Sequence, residues 1–466
     1  MSNSYSRRKF FQQLGGTSLM LAAGALTASA AKEETSFPKI VGANDQIRIA
    51  LIGAGIMGNA DVDTALKVPG VSLAAVCDLY SGRLTRVKEK YGKDVYTTMD
   101  YREILDRKDI DVVIIATTDI WHARIAKEAM LKGKDVYCEK PMVKEIKEGL
   151  PVIAVQKQTK KVFQVGSQVI AGSAYVKAKE LLGKGEIGKL NCIEATYDRH
   201  SSLGAWEYTL PSDASPETVD WDRYIAGMPK QPYDANKFFR WRCYKEFGTG
   251  VAGDLFVHLL TGIHMIVGSV GPSKIFSMGQ LSYWKDGRNV PDVMTAIMEY
   301  PETKTHPKFL LTLRVNFASG AGEKTLIRFI GNEGVMNLSS GSVNVHYDLL
   351  PKAPGIVGDW DSITTYPLAM QKSLVEDYNK KYSKEDQMVP TKNDFTYNAP
   401  AGEDKHLNHF THFFDSVRNG TPVFENAEFA FRAAAPCLAC NDSYFQNRSV
   451  QWDPVSMKEI DSSSKK

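Results

Sequence analysis

The chain lacks a charge surplus once its first thirty residues are set aside. Its 57 Lys and Arg face 54 Asp and Glu, and the excess is Arg7, Arg8 and Lys9, in a stretch without a single acid. The remainder is neutral by formal count, which argues against a nucleic-acid-binding module, because displacing phosphate counterions needs a basic surface. Cysteine is scarce: six residues, at 77, 138, 192, 243, 437 and 440, too few and too scattered for a disulfide framework. Cys437 and Cys440 are close in sequence but lie within Phe429–Tyr444, which reads as a buried helix. With no second pair to complete a zinc centre, buried thiols are the reading and no metal is expected. Internal repeats are missing, and low complexity is confined to the terminal Ser-Ser-Ser-Lys-Lys. What is present is the composition of a globular protein, 43% hydrophobic and 24% charged over 466 residues, enough for two or three domains.

The acid-free first thirty residues have a positive head, a moderately apolar core through Leu19–Ala23, and a small-x-small ending at Ala28-Ser29-Ala30. These are the three parts of a cleaved export signal. Arg7-Arg8-Lys9-Phe10-Phe11 resembles the twin-arginine signal of bacteria, which implies an exported, periplasmic protein. Gly15, Gly16, Thr17, Gly24 and Thr27 dilute the apolar core, so no permanent membrane span is expected. No Cys follows it to carry a lipid. Residues 31–45 read as a polar leader.

From Gln46 strand and helix patterns alternate. Apolar runs at 47–52, 71–77, 112–116, 135–138 and 162–165 read as strands, separated by amphipathic helical stretches. Val112-Val113-Ile114-Ile115-Ala116 is apolar throughout, as a strand covered on both faces would be. Residues 46–165 therefore read as a doubly wound Rossmann domain. After Gly166 a helix at 174–182 and a strand at 190–197 lead into an irregular stretch, 198–250, rich in Arg, Trp and Tyr. A helix is expected at 253–267, antiparallel strands at 273–284, 293–300, 309–318 and 324–330, a loop-rich polar region at 350–405, and helices near 406–418 and 428–445. The fold class is α/β: the Rossmann domain plus an α+β domain over 166–455 with a large, mostly antiparallel open sheet, ending in a polar tail, 456–466.

Gly53-x-Gly55-x-x-Gly58 directly follows an apolar strand, opens a helix, and has Asp78 twenty residues beyond its last glycine at the end of the next strand. In that context the loop, including Ile56 and Met57, reads as a dinucleotide site, its backbone and helix terminus receiving a pyrophosphate. An acid at Asp78 would bind ribose hydroxyls and repel a 2′-phosphate, favouring NAD. Arg83 close by leaves NADP as the alternative.

Gly133-Lys-Asp-Val-Tyr-Cys-Glu139-Lys140-Pro141 resembles the glucose–fructose oxidoreductase/inositol dehydrogenase (Gfo/Idh/MocA) family. Further motifs agree in order: Ala116-Thr117-Thr118-Asp119-x-x-His122, Gly185-Glu-Ile-Gly188, Gly253-Asp254-x-x-x-His258, Gly331-Asn-Glu-Gly334 and His412–Gly420. The resemblance spans Ile47 to Asp453. Thr118 stands where the family commonly has Pro, Val169-Ile170 where Arg often follows the Gln, and the 198–250 stretch has no counterpart in smaller members. The resemblance implies an NAD(P)-dependent oxidoreductase acting on a sugar, glycoside or polyol. It further implies nucleotide contacts from Thr117, His122, Glu139 and Lys140, and a homo-oligomer.

Oxidising a secondary alcohol needs a group that takes the hydroxyl proton and a donor that holds the oxygen. Lys140, at the end of a parallel strand, would point into the crevice. Asp254 and His258 are four apart, on one face of an otherwise apolar helix. In family terms Lys140 orients the hydroxyl, His258 is the acid/base, and Asp254 supports it or binds substrate; the alternative is a helix-terminal acid and a satisfied core histidine. His122 has a helix-cap or packing role as its alternative, and His264 reads as structural. His406, His409 and His412 lack a carboxylate at zinc-motif spacing, so no metal is assigned. Tyr197, Arg199, Arg240 and Arg242, with His200, Trp206, Trp241 and Tyr244 around them, suit either a sugar site or a subunit interface. Export removes the enzyme from the nicotinamide pool, so the cofactor is expected to travel bound. That leaves two enzymatic readings, an oxidoreductase with retained cofactor and a redox-neutral glycosidase working by transient oxidation and elimination. A non-enzymatic sugar-binding protein ranks behind both.

Overall fold

In the computed structural model, which describes residues 46–460 other than 357 and 359, the apolar runs become the parallel sheet expected of them. Its strands are β1 (Ile47–Ile52), β2 (Val71–Cys77), β3 (Tyr96–Thr98), β4 (Val112–Ile115), β5 (Asp135–Cys138) and β6 (Phe163–Val165), in the order β3-β2-β1-β4-β5-β6. All four residues of β4 are buried, because neighbouring strands fill both its edges and helices cover both faces. The chain reverses direction in the sheet between β1 and β4, and at that switch point the carboxyl ends of adjacent strands leave a crevice. The predicted export signal and leader, and the last six residues, lie outside the described residues.

The second sheet has ten strands: β7 (Leu190–Asp198), β8 (Lys274–Gln280), β9 (Val293–Tyr300), β10 (Phe309–Asn316), β11 (Lys324–Gly331), β12 (Gly334–Leu338), β13 (Ser342–Tyr347), β14 (Phe395–Asn398), β15 (Val450–Asp453) and β16 (Lys458–Glu459). Their order is β14-β13-β12-β11-β7-β10-β9-β8-β15-β16, antiparallel except where β10 lies parallel to β7. Burial alternates along β10, so Phe309, Leu311, Leu313 and Val315 face the core, the pattern of a sheet covered on one side. The helices Val257–Val267 and Ala427–Gln446 fill that side, with Cys437 and Cys440 buried as free thiols. One buried cluster runs from Val113 and Ile115 of β4 through Phe431 and Leu438 to Leu311 and Leu313 of β10, joining both sheets through a shared core.

Three readings need correction. The polar region 350–405 contains the helix Leu368–Lys381 and the strand β14; that helix buries no side chain, so it carries no apolar stripe by which periodicity could reveal it. Strands β12, β13 and β15 and the short β16, inside the expected tail, were not anticipated; they are short and lie towards the ends of the sheet. The helix expected at 253–267 is α-helical only from Val257; Ala252–Phe256 is a π-helical turn, a local widening often found at functional sites.

A polar layer lies between β5, β6 and the helices Lys405–Asn419 and Ala427–Gln446. Tyr137 Oη and Gln164 Nε2 each approach His409 Nδ1 at 3.1 Å, and Thr261 donates to the buried Glu425. Burial pushes the carboxyls of Glu139 and Glu425 up to about 8 and pulls His258, His264 and His409 down to about 3. The two acids stay protonated in the fold well above the pH at which they ionise in the unfolded chain, so between about 4.5 and 8 the native state holds more protons and stability falls as pH rises. The histidines act oppositely, lowering stability as pH falls below about 6.5. Glu425→Gln cannot ionise. Its melting temperature relative to the wild type is therefore expected to rise as pH increases from 5 to 8 and then level off; thermal melts across that range check it.

Candidate active site at the carboxyl ends of the parallel strands

The glycine loop leaves β1 in a turn that only glycine takes easily: Gly53 has φ of +97°. A side chain there would also meet the Ala116 carbonyl, and a Cβ at Gly58 would stand 2.0 Å from the Gly53 carbonyl, so both positions are closed by the protein itself. Gly55 is different. A Cβ built on it meets nothing within 4 Å, and the residue lines a cavity together with Ile56, Met57, Asp78 and Thr117. Ile56, the first residue of its helix, is 74% exposed despite being apolar. Open space beside bare backbone at a helix N-terminus fits the pyrophosphate of a dinucleotide.

Asp78, buried at the end of β2, ties this loop down. Its Oδ2 accepts from the Ala54 N–H at 2.8 Å and its Oδ1 from the Tyr80 N–H at 2.9 Å. Arg83 Nη1 lies 3.4 Å from both oxygens and its guanidinium covers the rings of Phe238 and Phe239. The Arg83 charge is thus drawn to Asp78 within the cavity wall. Sequence reasoning named Trp241 and Arg242 of the far wall of the cavity, as part of a sugar site or subunit interface, but missed the rest: Tyr208, Tyr224, Phe238 and Phe239 come from the same irregular 198–250 stretch. The only signal was its aromatic content.

Lys140 emerges beyond the carboxyl end of β5, before a cis bond to Pro141. Its Nζ donates to Asp254 Oδ1 at 2.8 Å and to the Asp254 carbonyl at 2.9 Å. Arg242 Nε reaches the same Oδ1 at 3.2 Å. The two side chains of the Lys140–Asp254 pair are only 10% and 6% exposed. Burial alone would raise the Asp254 carboxyl; the Lys140 and Arg242 cations override that and hold it far below the usual carboxylate range. His258 is half-buried, its Nδ1 is shielded from solvent with no partner among the described residues, and its ring lies 6.0 Å from that of Tyr197. Burial, reinforced by the Lys140 charge, keeps it neutral down to about pH 3. Asp254 therefore binds Lys140 and Arg242, and no hydrogen bond joins it to His258; the proton-relay pair expected from their spacing is replaced by a Lys140–Asp254–Arg242 cluster beside a neutral histidine.

The other candidates divide. Tyr197 and Arg199 join this cluster, with the Arg199 guanidinium over the Tyr197 ring. Arg240 does not: it donates to the Tyr208 carbonyl and pairs with Glu207, bracing its own segment. Thr117 lines the cavity. His122 is buried outside its lining, with Nδ1 2.8 Å from the Pro141 carbonyl and Nε2 3.2 Å from that of Thr117, and so pins the Lys140 loop to the end of β4. Glu139 turns away as well, accepting from Gln168 at 2.6 Å. His264 bonds Tyr300, His406 meets Asp61, and His409 and His412 both stack on Phe424. Among the described residues no group of three His, Cys, Asp or Glu is placed to hold a metal, and no helix is long and apolar enough to cross a membrane.

Gly55 has extended backbone at φ −75°, which alanine adopts freely. Gly55→Ala is expected to leave the melting temperature within a degree or two of the wild type. NAD binding should weaken roughly tenfold or more, because the methyl enters the space the backbone leaves for the pyrophosphate. The NAD content of the protein after gel filtration, alongside a thermal melt, checks both.

Comparison with known proteins agrees with this geometry. The model of the oxidoreductase family with an NAD-binding Rossmann fold matches residues 47–167, and that of the family's C-terminal alpha/beta domain matches residues 179–452. A glycosyl hydrolase family 109 protein of Shewanella sp. (strain ANA-3) is 31% identical over 214 residues, 42% of this chain and 46% of the relative. An inositol 2-dehydrogenase of Salmonella typhimurium (strain LT2) is 30% identical over 175 residues, 37% of this chain and 50% of the relative. The chain thus spans about half the length of the curated relatives it matches. Among solved structures, levoglucosan dehydrogenase in complex with NADH and L-sorbose shares the fold with a TM-score of 0.62 at 18% identity, over 88% of this chain and 100% of that one. An oxidoreductase of Agrobacterium radiobacter in complex with NAD+, L-tartaric acid and magnesium does so with a TM-score of 0.60 at 17% identity, over 89% and 100%. The chain belongs to the Gfo/Idh/MocA oxidoreductase family, with NAD as the cofactor of its Rossmann domain.

Proposed function

We propose that the protein oxidises a secondary hydroxyl of a sugar, glycoside or polyol, or reduces the corresponding ketone, with a nicotinamide cofactor that stays bound. The observation that carries this reading is the hydrogen-bond count at Lys140. An ammonium has three donors, and Asp254 takes two of them through its carboxylate and its carbonyl. The third is left for a substrate oxygen, on a side chain held in one place by a buried ion pair. His258, neutral and with Nδ1 unpartnered, is the base that takes the hydroxyl proton, and Tyr197, Arg199 and Arg242 bound the space where the ring would lie. Bound NAD supplies the hydride acceptor in this scheme. The Asp78 carboxylate in the cavity wall, with Arg83 already drawn to it, supports NAD over NADP.

The similarity to family 109 glycosyl hydrolases favours a second reading of the same site. If the oxidation is transient, the C–H next to the new carbonyl would become acidic and the aglycone would leave by elimination; addition of water and return of the hydride to the ketone would then complete hydrolysis with no net redox change. Both readings fit an exported protein, and the twin-arginine signal of residues 1–30 supports a periplasmic location in which free nicotinamide is not exchanged. A homo-oligomer is supported by the outer face of the open sheet, where Phe276, Met278, Ile297 and Leu310 on adjacent strands are exposed.

Incubation of the purified protein with free sugars and with aryl glycosides separates the two: aglycone release without accumulation of NADH identifies the glycosidase, and stoichiometric NADH with ketone formation the dehydrogenase. Lys140→Met is expected to lower kcat by about 10²- to 10⁴-fold while bound nucleotide is retained; near-wild-type turnover overturns the scheme. Because His258 is already neutral, the oxidation rate is expected to show no acidic limb between pH 5 and 8; a pH profile of kcat/KM checks it.

A further inference from the structure

The 198–250 stretch does more than border the cavity. We infer that residues 206–248 form a cover latched across the dinucleotide site, making NAD a resident group that is trapped when the chain folds and does not exchange freely. The inference rests on the proposal that NAD occupies this cavity.

The cover has its own small core, in which Trp221, Tyr224, Phe238 and Phe247 pack together with Tyr80, which follows Asp78 and Leu79 of the opposite wall. Tyr224 and Phe247 stack at 5.1 Å, and Tyr80 meets Phe239 edge-on at 5.2 Å. From that core Tyr208, Tyr224, Phe238, Phe239, Trp241 and Arg242 face the cavity opposite the glycine loop. Arg242 uses only Nε in its bond to Asp254; Nη1 and Nη2 have no partner among the described residues. Its guanidinium stacks on Trp241 at 4.2 Å and its charge is paired with Asp254, so it ties the cover side of the cavity to the helix that carries His258.

The attachment is unusual for a loop because it uses backbone pairing. The Ser81 N–H donates to the Thr218 carbonyl and the Asp220 N–H to the Leu79 carbonyl, each at 2.9 Å, closing an antiparallel bridge between Tyr80 and Val219. Leu79–Ser81 directly follows Asp78, so the latch closes immediately beside the ribose end of the site. Tyr80 Oη donates to Asp213 at 2.5 Å, and burial together with that carboxylate pushes the phenol up to about 12, so it remains a donor at any physiological pH. Arg223 donates to the Met99 carbonyl at 3.1 Å, and Trp121 Nε1 to the Tyr224 carbonyl at 3.1 Å. At the far end, Thr249 donates from both its N–H and its hydroxyl to the buried Asp119, at 3.0 and 2.8 Å. The cover is therefore fastened on both sides of the cavity. A ligand lying between Gly55 and Phe239 leaves only if several of these bonds open together, and a cooperative opening of that kind is slow.

The test follows bound NAD rather than turnover. Full-length protein is passed through gel filtration, and exchange of its nucleotide against isotopically labelled NAD is timed by mass spectrometry. The variants are Tyr80→Phe, Asp213→Asn and, in the cavity wall, Phe239→Leu. Tyr96→Phe serves as a control, because it removes a similar tyrosine–carboxylate bond, to Glu103, outside the cover. The wild type and Tyr96→Phe are expected to carry nucleotide through the column and exchange it over hours. Tyr80→Phe and Asp213→Asn should exchange about tenfold faster, the loss expected for a hydrogen bond to an ionised carboxylate. Exchange by the wild type within seconds, equal rates in the wild type and both latch variants, or equal acceleration by Tyr96→Phe overturns the cover while leaving the oxidoreductase reading intact. Failure of the wild type to bind NAD at all overturns both. Phe239→Leu, which keeps the latch but thins the wall, should accelerate exchange as well, so misfolding of either latch variant leaves a decisive measurement.

Discussion

The contact on which the site depends is the buried ion pair of Lys140 and Asp254. Two side chains that are 10% and 6% exposed have given up most of their hydration, and such a pair adds little net stability because desolvation offsets the attraction. Its contribution is positional. The pair links the carboxyl end of β5 to the π-helical turn ahead of the helix Val257–Val267, and so joins the nucleotide-binding sheet to the element that carries His258. Arg242, from a third segment, closes on the same oxygen. Lys140 and a segment more than a hundred residues beyond it thereby converge on one carboxylate, and each becomes costly to move because doing so would leave a buried charge unpaired.

Asp78 plays a comparable part at the other end of the cavity. Its carboxylate accepts from the backbone of the glycine loop and of Tyr80, so one acid sets the shape of the phosphate turn and the start of the latch. His122 does the same between the loops after β4 and β5. The polar groups nearest the chemistry are thus held by others one step removed, and the open positions, Gly55, the third donor of Lys140 and Nδ1 of His258, are where a ligand can be met.

Much of this was legible in the residue order. Continuous apolar runs such as 112–116 identify strands buried on both faces, and the glycine spacing with Asp78 placed the turn, the helix and the next strand in register. The helices at 405–419 and 427–446 follow from amphipathic and apolar periodicity. The helix Leu368–Lys381 was hidden because it buries nothing. The π-helical turn was hidden because no composition signal distinguishes it from α-helix. Arg240 and Arg242, two residues apart in one Arg- and Trp-rich run, could not be separated: one braces Glu207 and the other meets Asp254, a difference set by a single short turn of chain, Trp241–Cys243.

By itself the sequence determined the neutral body, the acid-free N-terminal stretch, the scarcity of cysteine, the two classes of sheet and the identity of the groups able to handle a dinucleotide and a proton. These are properties of local order: spacing, periodicity and side-chain chemistry survive in a one-dimensional reading. Tertiary structure alone decided which donor meets which acceptor. Asp254 turned to Lys140 and Arg242 instead of His258, Glu139 and His122 turned inward, and an aromatic segment more than a hundred residues beyond the glycine loop became the other wall of its cavity. The physical reason is that a charge or hydrogen bond is worth most where water is excluded, and where water is excluded depends on how segments far apart in the chain close over one another.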